Sequence, residues 1–497
     1  MSKFIPNLIG TATSAANAAT FDVVHPTNGV VHAVQRSTPA DIDAAIATAH
    51  AALPAWRDTP LARRKEIVIA AADLLTDPNE TWAQRLIDAN VAETSSSVGW
   101  AKGLTGNTHN FMRALVAVAD EALAPFEIKT NESLCILTRE PYGVCLAMAA
   151  WNAVQILTMR STITPLLAGN TVVFKTSETT PYTQHIFAEL LYAAGLPREA
   201  LTVVHVATED APALTAQLVS DKRVRHVNFT GSTRVGSIIA GLAGQNLKPV
   251  VMELGGKSGL LLLPDADIET AASHIIAGAF LNAGQICMST ERVFVTASRY
   301  DELVAALRAE WAGYKDKQSR ALFTQRSAER VKDLVADAYS HGAADVIAED
   351  RTANGHDAFS LFPTILAPIN KTMRLYTEES FGPTLAVVVI PDAGRSEAEV
   401  LDDMVAQAND TEYGLSSSVW GRDTRRAAAV AGRIECGAIH INGKTPADPP
   451  PVPHGGWKNS GWGRFNGVEG LRHFTHTRTI EIPDEHPGKL DLNSMDL

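Results

Sequence analysis

The feature that most constrains the fold of this chain is a regular alternation of short apolar runs with helical segments between residues 143 and 256. Continuous apolar runs of this length predict buried strands, and the helices between them predict βαβ units with a parallel sheet covered on both faces. Sheets of this kind bind ligands at the carboxyl ends of their strands. The five predicted strands are 143–150, 170–175, 201–206, 225–231 and 248–256.

A second alternating segment begins near residue 258 and predicts another α/β unit. Its predicted strands are 259–264, 292–297, 385–390 and 437–442, and its predicted helices are 299–313 and 326–341. The first quarter of the chain carries apolar residues at helical spacing instead, so we expect it to be mostly helical. The helical stretches there are 39–53, 61–77 and 81–122.

Two further segments, 133–142 and 474–483, alternate apolar and polar residues as half-exposed strands do. Both lie outside the two α/β runs, so we expect them to pair with each other as a protruding edge. Exposed edges are commonly covered by another subunit. The pattern therefore predicts a homo-oligomer.

Composition narrows the classes of partner and compartment. The net charge of −12 argues against nucleic acid or an anionic membrane as the main partner, because both favour basic patches. Four cysteines in 497 residues are too few for a disulfide scaffold, and the N-terminus lacks a signal or transit pattern, so we expect a reducing cytoplasm. The longest uncharged apolar-rich run, 143–159, is shorter than the ~20 residues of a membrane helix.

Cys287 is the first candidate for chemistry, because Gly284, Gln285, Ser289 and Thr290 around it suit a turn more than a packed core. A thiol becomes a good nucleophile when its pKa falls below about 8.5, as at a helix N-terminus. The alternative is an inert buried thiol. This segment by itself does not decide between them.

Two polar residues at strand ends are further candidates. Glu253 ends an apolar strand before two glycines, where burial would raise its pKa towards the working pH and suit it to act as a general base. The alternative is a glutamate that caps a helix. Asn152 follows another apolar strand and could donate a hydrogen bond to a developing oxyanion, or simply cap the next helix.

Cofactor signals are present but individually weak, since neither GxGxxG after a strand nor GxxxxGK[ST] occurs. The segment NFTGSTRVG (228–236) ends a strand in Gly-Ser-Thr and leads into a helix, whose N-terminus can hold a pyrophosphate. In FKTSE (174–178), Lys175 can bond a ribose hydroxyl. Glu178 can accept from a 2′-hydroxyl and would repel a 2′-phosphate.

A Cys–His hydrolase is the competing cysteine chemistry, and it needs a histidine base with a third group that orients it. Fifteen histidines leave that alternative open, although none lies in a recognisable motif. His226 and His440 lie beside or within predicted strands and favour a structural interpretation. Without HExxH or CxxC, the sequence supports no metal site.

Taken in order, these segments resemble the aldehyde dehydrogenase superfamily from about residue 20 to residue 483. The matching segments are Asn152 after its strand, LLAGNTVVFKTSE, FTGST, ELGGK, the GQIC cysteine, EESFGP (378–383) and GGWKNSGWGRF (455–465). The resemblance implies an NAD-binding domain with a variant Rossmann sheet, an α/β catalytic domain and a β-strand oligomerisation arm. The implied bounds are 1–122 with 143–254, then 255–450, and 123–142 with 470–490.

The resemblance also implies roles for single residues. Cys287 matches the nucleophile, Glu253 the general base and Asn152 the oxyanion donor, with NAD as cofactor and NADP possible. The positions implied to bind the cofactor are Trp151, Lys175, Glu178, Gly231, Ser232, Leu254, Glu379 and Phe381. The enzyme would form a homodimer or homotetramer. Two alternatives remain, a CoA-acylating relative and a catalytically silent binding protein, and an intact Cys/Glu/Asn set argues against the second.

Within the family, VRHVNFTGSTRVG, ELGGKSG and GQICMSTER look most like the salicylaldehyde, vanillin and benzaldehyde dehydrogenases. In that group a small residue follows the asparagine, here Ala153, which would leave room for an aromatic aldehyde. Arg160 could face a ring substituent or serve as a structural ion-pair partner. An aliphatic aldehyde or a semialdehyde is the alternative substrate. The expected apolar walls are Tyr142, Leu157, Ile286, Met288 and Trp457.

Three departures from the family pattern put the substrate range in doubt, not the type of reaction. Ala150 stands where a proline usually precedes the tryptophan, and His454 stands where a phenylalanine is usual in Pro-Phe-Gly-Gly. The segment 312–326 lacks a Gly-Pro-containing loop and is shortened.

Overall fold

The computed structural model describes residues 3–11, 18–25, 29–314, 321–347 and 359–484. Six residues of the shortened 312–326 segment, and the arm prediction beyond residue 484, lie outside these ranges. The α-helices are Pro39–Arg57 (α1), Leu61–Leu74 (α2), Trp82–Thr94 (α3), Val98–Leu123 (α4), Val154–Leu167 (α5), Pro181–Ala193 (α6), Ala211–Ser220 (α7), Thr233–Gln245 (α8), Ile268–Phe280 (α9), Tyr300–Tyr314 (α10), Gln325–Ser340 (α11), Arg374–Thr377 (α12), Glu397–Asn409 (α13), Thr424–Ala431 (α14) and Gly467–Arg472 (α15).

Short 3-10 helices occupy Leu281–Gly284 and Ala297–Arg299. The strands are Lys3–Ile5 (β1), Thr20–His25 (β2), Gly29–Gln35 (β3), Phe126–Lys129 (β4), Ser133–Pro141 (β5), Val144–Met148 (β6), Thr171–Lys175 (β7), Leu201–Val204 (β8), Val224–Thr230 (β9), Val250–Glu253 (β10), Gly259–Leu262 (β11), Arg292–Thr296 (β12), Ala344–Asp345 (β13), Thr364–Ala367 (β14), Thr384–Ile390 (β15), Tyr413–Gly414 (β16), Ser416–Trp420 (β17), Ala438–Ile441 (β18), Trp457–Lys458 (β19), Gly461–Trp462 (β20) and Thr475–Pro483 (β21).

The predicted parallel sheet is present, with the strand order β20-β10-β9-β6-β7-β8. Its five predicted strands run parallel to one another, and alternate residues enter two separate cores. Cys145 and Ala147 pack with α4, α5 and α6 on one face, whereas Leu146 and Met148 pack with α1, α7 and α8 on the other. Burial on both faces explains why these strands are continuously apolar.

The second α/β segment also forms the predicted sheet, with the order β13-β14-β15-β12-β11-β17-β18. All neighbouring strands pair in parallel except β13, which runs antiparallel to β14. Leu261 and Leu260 enter opposite cores, so this sheet is likewise covered on both faces. The predicted α/β class is confirmed.

The two alternating segments pair as predicted. β21 runs antiparallel to β5 from Thr475 opposite Pro141 to Pro483 opposite Ser133, and β4 pairs with the other side of β5. Beyond its first residue, β21 is exposed along its whole length. This three-stranded unit is called the arm below.

The prediction of a mostly helical first quarter is wrong in one respect, because β1, β3 and β2 form a small sheet. These strands are short, and their apolar core is limited to Ile5, Val23 and Val34, so they carry little apolar pattern. The stretch 81–122 is also two helices instead of one. Ser95 has a left-handed φ of 58°, and Ser97 caps α4, which together end one helix and begin the next.

Among the residues that the structure describes, no helix is long and apolar enough to cross a membrane. The same part of the chain contains no cluster of three or more His, Cys, Asp or Glu side chains placed to hold a metal ion.

Candidate active site

Cys287 lies in a tight loop between the 3-10 helix Leu281–Gly284 and strand β12. Asn282 and Ala283 have left-handed φ angles of 52° and 56°, and Gly284 follows at 72°. A Cβ at Gly284 would lie 2.1 Å from the carbonyl oxygen of Gly382, so only glycine fits there. Small residues thus permit the turn that presents the thiol, as predicted.

Asn152 is held against this loop and does not cap a helix. It follows β6, and the N-cap position of α5 is Ala153, which makes no side-chain cap. The Asn152 Nδ2 donates to the carbonyl oxygen of Gln285 at 3.1 Å, and its own carbonyl accepts from Trp100 Nε1 at 3.2 Å. The Asn152 side-chain amide is therefore fixed at the carbonyl of Gln285, which precedes Cys287 by two residues. Its second N–H is the group that an oxyanion on that side of the thiol could use.

Glu253 lies at the end of β10 and faces the same thiol. Its Oε1 is 3.5 Å from Cys287 Sγ, and the thiol is the donor in this contact. The same oxygen accepts from His454 Nε2 at 3.1 Å, while Oε2 lies 3.3 Å from an Arg160 guanidinium nitrogen. The carboxylate is 1% exposed. The alternative that Glu253 caps a helix is not what the structure shows.

The expectation of a raised pKa for Glu253 is wrong. Burial by itself raises the pKa, but the charge and hydrogen bond of His454 and the charge of Arg160 outweigh it and lower the pKa to about 2. Sequence reasoning anticipated the burial of this glutamate but not these two partners. Glu253 is therefore ionised at neutral pH.

The pKa of the Cys287 thiol is not lowered in this structure, as an activated cysteine would need. Burial, together with the carboxylates of Glu253 and Glu379, raises the pKa of Cys287 well above its ordinary value, and Arg160 opposes them only in part. Cys287 lies in a loop instead of at a helix N-terminus, so no helix dipole offsets the two carboxylates. The observed pair is a thiol donating to a carboxylate.

A cavity of about 510 Å³ opens above Cys287 and Asn152. Its walls are mainly apolar, with some polar and charged side chains among them. The predicted substrate residues that line it are Ala153, Leu157, Arg160, Ile286 and Met288. Sequence reasoning missed Trp100, Leu104, Asn107 and Phe111, which also line it. Their spacing of three and four residues along α4 marks one face of a helix and was the available signal.

Two of the expected walls lie elsewhere. Trp457 is 48% exposed and lines a different surface depression with Trp462 and Arg464, because β19 pairs with β16 and turns its side chain outward. Its assignment to the aldehyde cavity is corrected. Tyr142 stacks against His226 and His476 at the base of the arm, with ring centroids 5.1 and 5.0 Å apart.

Arg160 is an ion-pair partner of protein carboxylates, which is the second of the two roles expected for it. It is buried, contacts the carboxylates of Glu253 and Asp448, and lies over the ring of Phe111 at 5.2 Å. The guanidinium thus borders the cavity while both of its partners are carboxylates of the protein. The ion-pair interpretation is the one that the structure supports.

The carboxyl ends of β7 and β9 carry several of the predicted cofactor residues. Ser232 is the N-cap of α8, and its hydroxyl accepts from the Val235 N–H at 3.4 Å. A Cβ at Gly231 would lie 2.4 Å from the Phe229 ring. Lys175 Nζ lies 3.6 Å from Glu178 Oε2 at the end of β7, which β6 separates from β9 in the sheet. A helix N-terminus after one strand of the sheet, with a lysine and a carboxylate after another, suits a dinucleotide with a free ribose 2′-hydroxyl.

The remaining predicted cofactor residues lie nearer Cys287. Glu379 Oε1 accepts from the Gly256 N–H at 2.8 Å, and burial raises the pKa of Glu379 to about 7. Phe381 has a left-handed φ of 48°, and its N–H donates to Glu291 at 3.1 Å. The Trp151 ring meets Phe381 edge-on at 5.9 Å. Leu254 is buried against α8 at Gly236, where a Cβ would meet it at 2.4 Å.

Comparisons with known proteins identify the family of this chain. The model of the aldehyde dehydrogenase family matches residues 13–480. Vanillin dehydrogenase from Pseudomonas sp. (strain HR199 / DSM 7063) is 38% identical over 488 residues, which cover 96% of this chain and 98% of that protein. Salicylaldehyde dehydrogenase from Pseudomonas putida is 36% identical over 485 residues, covering 94% and 95%.

Solved structures give the same result. The crystal structure of a salicylaldehyde dehydrogenase from Pseudomonas putida G7, complexed with salicylaldehyde, matches with a TM-score of 0.89 at 33% identity, covering 99% of this chain and 100% of that one. An NAD-dependent aldehyde dehydrogenase from Sinorhizobium meliloti matches with a TM-score of 0.87 at 28% identity, covering 98% and 96%.

Proposed function

The chain belongs to the aldehyde dehydrogenase family, and from that premise we propose that its substrate is an aromatic aldehyde. The enzyme oxidises an aldehyde to the carboxylic acid with NAD, and NADP is possible. The observation that supports an aromatic substrate is the cavity above Cys287, whose apolar lining includes Trp100, Phe111 and the small Ala153. The relatives that act on vanillin and salicylaldehyde are in accord with it.

We propose that Cys287, Asn152 and Glu253 perform the chemistry. The Cys287 sulfur attacks the carbonyl carbon as its proton passes to Glu253, which lies 3.5 Å away. The developing oxyanion is held by the Asn152 amide and the backbone N–H of Cys287; one such donor is worth about 3 kcal/mol when preorganised. The nicotinamide ring of NAD, which Glu379 and Phe381 would hold, would supply the acceptor for the hydride of the carbonyl carbon.

The product on Cys287 is then a thioester. After Glu253 has released the thiol proton to solvent, it removes a proton from the water that attacks the thioester carbon, and the Cys287 sulfur leaves as the carboxylic acid forms. This use of Glu253 favours water over a coenzyme A thiol as acyl acceptor, because a thiol can attack without a base. The burial of Glu253 and its contact with the Cys287 thiol support its assignment as the base.

For the cofactor, we propose that Lys175 and Glu178 bind the adenosine ribose and that Gly231, Ser232 and the start of α8 bind the pyrophosphate. Glu379 and Phe381 would hold the nicotinamide ribose and ring, with Trp151 and Leu254 beside them. Glu178 favours NAD over NADP, because a carboxylate repels a 2′-phosphate. The glycine at 231 and the free N-terminus of α8 support the pyrophosphate position.

The domain division predicted from the sequence is also proposed: residues 1–122 with 143–254 bind the cofactor, 255–450 carry the cysteine, and the arm mediates a homodimer or homotetramer. A cytoplasmic location is proposed because the enzyme depends on a reduced thiol. All four cysteines are unpaired.

An aldehyde panel tests the substrate proposal. We expect kcat/KM for benzaldehyde and its hydroxylated derivatives to exceed that for acetaldehyde and for succinate semialdehyde by at least ~10-fold, as the difference of one buried ring contact implies. Formation of NADH is the measurement, and Cys287→Ser is the control that abolishes it. Equal values for benzaldehyde and the semialdehyde would contradict the aromatic assignment while leaving the oxidation itself intact.

A further inference from the structure

Four ionisable side chains, three of them buried and Asp448 largely so, form a closed ring next to Cys287, in which acidic and basic residues alternate. His454 Nε2 lies 3.1 Å from Glu253 Oε1, and His454 Nδ1 lies 3.7 Å from Asp448 Oδ1. Arg160 completes the ring, since it contacts the other oxygens of both Glu253 and Asp448. The ring thus connects the base beside the thiol to a second carboxylate.

The histidine in this ring cannot swing away. Its backbone N–H and carbonyl both bond to Phe465, at 2.9 and 2.8 Å, and its side chain is 2% exposed. Asp448 is fixed in turn by Asn466 Nδ2 at 3.0 Å. Nε2 lies within hydrogen-bond distance of Glu253, and Nδ1 lies on the side of Asp448.

We propose that His454, oriented by Asp448, is a positioning residue that holds the Glu253 carboxylate ionised and directed at the Cys287 thiol. The proposal rests on the role proposed for Glu253 in the oxidation of the aldehyde. His454 is not itself among the residues that line the cavity, and it reaches the thiol only by way of Glu253, so it acts through that carboxylate. It also explains the histidine at a position where the family usually has phenylalanine.

Without the imidazole of His454, Arg160 would be the remaining basic partner of the Glu253 carboxylate. A carboxylate buried at this depth is destabilised unless charges and donors compensate it. Arg160 is shared with Asp448, so it cannot by itself replace the hydrogen bond to Oε1. With an apolar ring at position 454, we expect the pKa of Glu253 to rise towards neutrality.

The ionisable groups around His454 are Glu253, Asp448, Arg160 and His440. Glu253 and Asp448 face its two nitrogens, Arg160 lies behind both carboxylates, and His440 on β18 is near enough that the charge of His454 lowers the pKa of His440. His440 makes no contact with Glu253 that the structure describes. It therefore provides a matched control histidine.

The test follows the protonation of Glu253 directly. The carboxylic-acid band in the infrared spectrum is titrated for the wild-type enzyme, His454→Phe, His454→Gln and His440→Gln, each against the same protein carrying Glu253→Gln. We expect no protonated Glu253 in the wild type down to about pH 5. In His454→Phe its pKa should rise by more than about one unit, in His454→Gln by less, and in His440→Gln not at all.

A second readout is the pH profile of kcat/KM for benzaldehyde. His454→Phe should lose activity at about pH 6 by ~10-fold relative to its own activity at about pH 8, whereas a packing defect would lower both equally. Identical Glu253 titration in the wild type and both His454 variants would overturn the proposal. Absence of turnover in the wild type would contradict the proposed function instead, and the infrared titration would still decide the role of His454.

Discussion

At the scale of single residues, Cys287 and Glu253 set each other's charge. The carboxylate is ionised and raises the pKa of the thiol, and the thiol donates a hydrogen bond back to the carboxylate. Proton transfer between them is uphill in this arrangement, so the structure shows a resting nucleophile. Sequence analysis named both residues, but it could not foresee this state because Arg160 and His454 are far from Glu253 in the chain.

This charge state predicts the pH dependence of alkylation at Cys287. The rate of reaction with iodoacetamide should rise with pH up to at least about pH 9 without a plateau, because the thiolate is the reactive form and the raised pKa keeps it scarce. Glu253→Gln should speed the reaction about 10-fold at about pH 8, since removing a neighbouring carboxylate lowers the pKa of the thiol.

Mass spectrometry of the modified peptide gives these rates, and Cys287→Ser reports the background from the other cysteines. That background should be low for Cys145 and Cys436, which are buried and whose pKa values burial raises. A plateau below about pH 8 in the wild type would contradict the charge state described here.

At the scale of elements, strand β20 is what brings the C-terminal segment to the site. It pairs antiparallel with β10, placing Gly461 opposite Glu253 and Trp462 opposite Met252. Apolar runs in the sequence predict β10, but a two-residue strand has no periodicity to recognise. For the same reason the position of His454 beside Glu253 could not be derived, and Trp457 was assigned to the wrong cavity.

The pairing of β10 with β20 predicts a strong effect of a single methyl group. Gly461 has a φ of 104°, and a Cβ there would lie 2.0 Å from the Met252 carbonyl oxygen. Gly461→Ala should lower the free energy of unfolding by about 2–4 kcal/mol and reduce kcat/KM more than 10-fold, because the strand must move away from Glu253.

Chemical denaturation and NADH formation measure the two effects. The matched control is Gly241→Ala in the exposed face of α8, where a Cβ would meet nothing within 4 Å and the fold should gain slightly in stability. Equal free energies of unfolding and equal kcat/KM values for the two variants would show that the pairing of β20 with β10 does not position Glu253.

At the scale of the whole molecule, the two large parallel sheets were predictable because strands buried on both faces leave continuous apolar runs. The arm was predictable from its alternation, since one register pairs all nine residues of β21 with β5. The small sheet of β1, β2 and β3 was not, because only Ile5, Val23 and Val34 form its core. Long-range pairing of polar groups, as in the ring around Glu253, leaves no local pattern in a sequence.

The arm carries the prediction for the assembly. Ile480 and Ile482 lie on the same side of β21 and are each 46% exposed, and the outer edge of β21 has no partner strand among the described residues. Exposed apolar side chains on an open edge are costly in a single subunit and are covered when a second copy pairs with it. We therefore expect Ile480→Asp combined with Ile482→Asp to convert an oligomer into 53.2 kDa monomers.

Light scattering during size-exclusion chromatography measures the mass of each species. The control is Ile238→Asp, which changes an isoleucine that is 56% exposed on α8, a helix that is not part of the arm, and should leave the oligomer intact if the arm alone forms the interface. A wild-type monomer would contradict the assembly, and an unchanged mass in the double variant would move the interface away from this edge. Because the arm continues directly into β6 through Gly143, we also expect the monomer to unfold at a lower temperature than the oligomer.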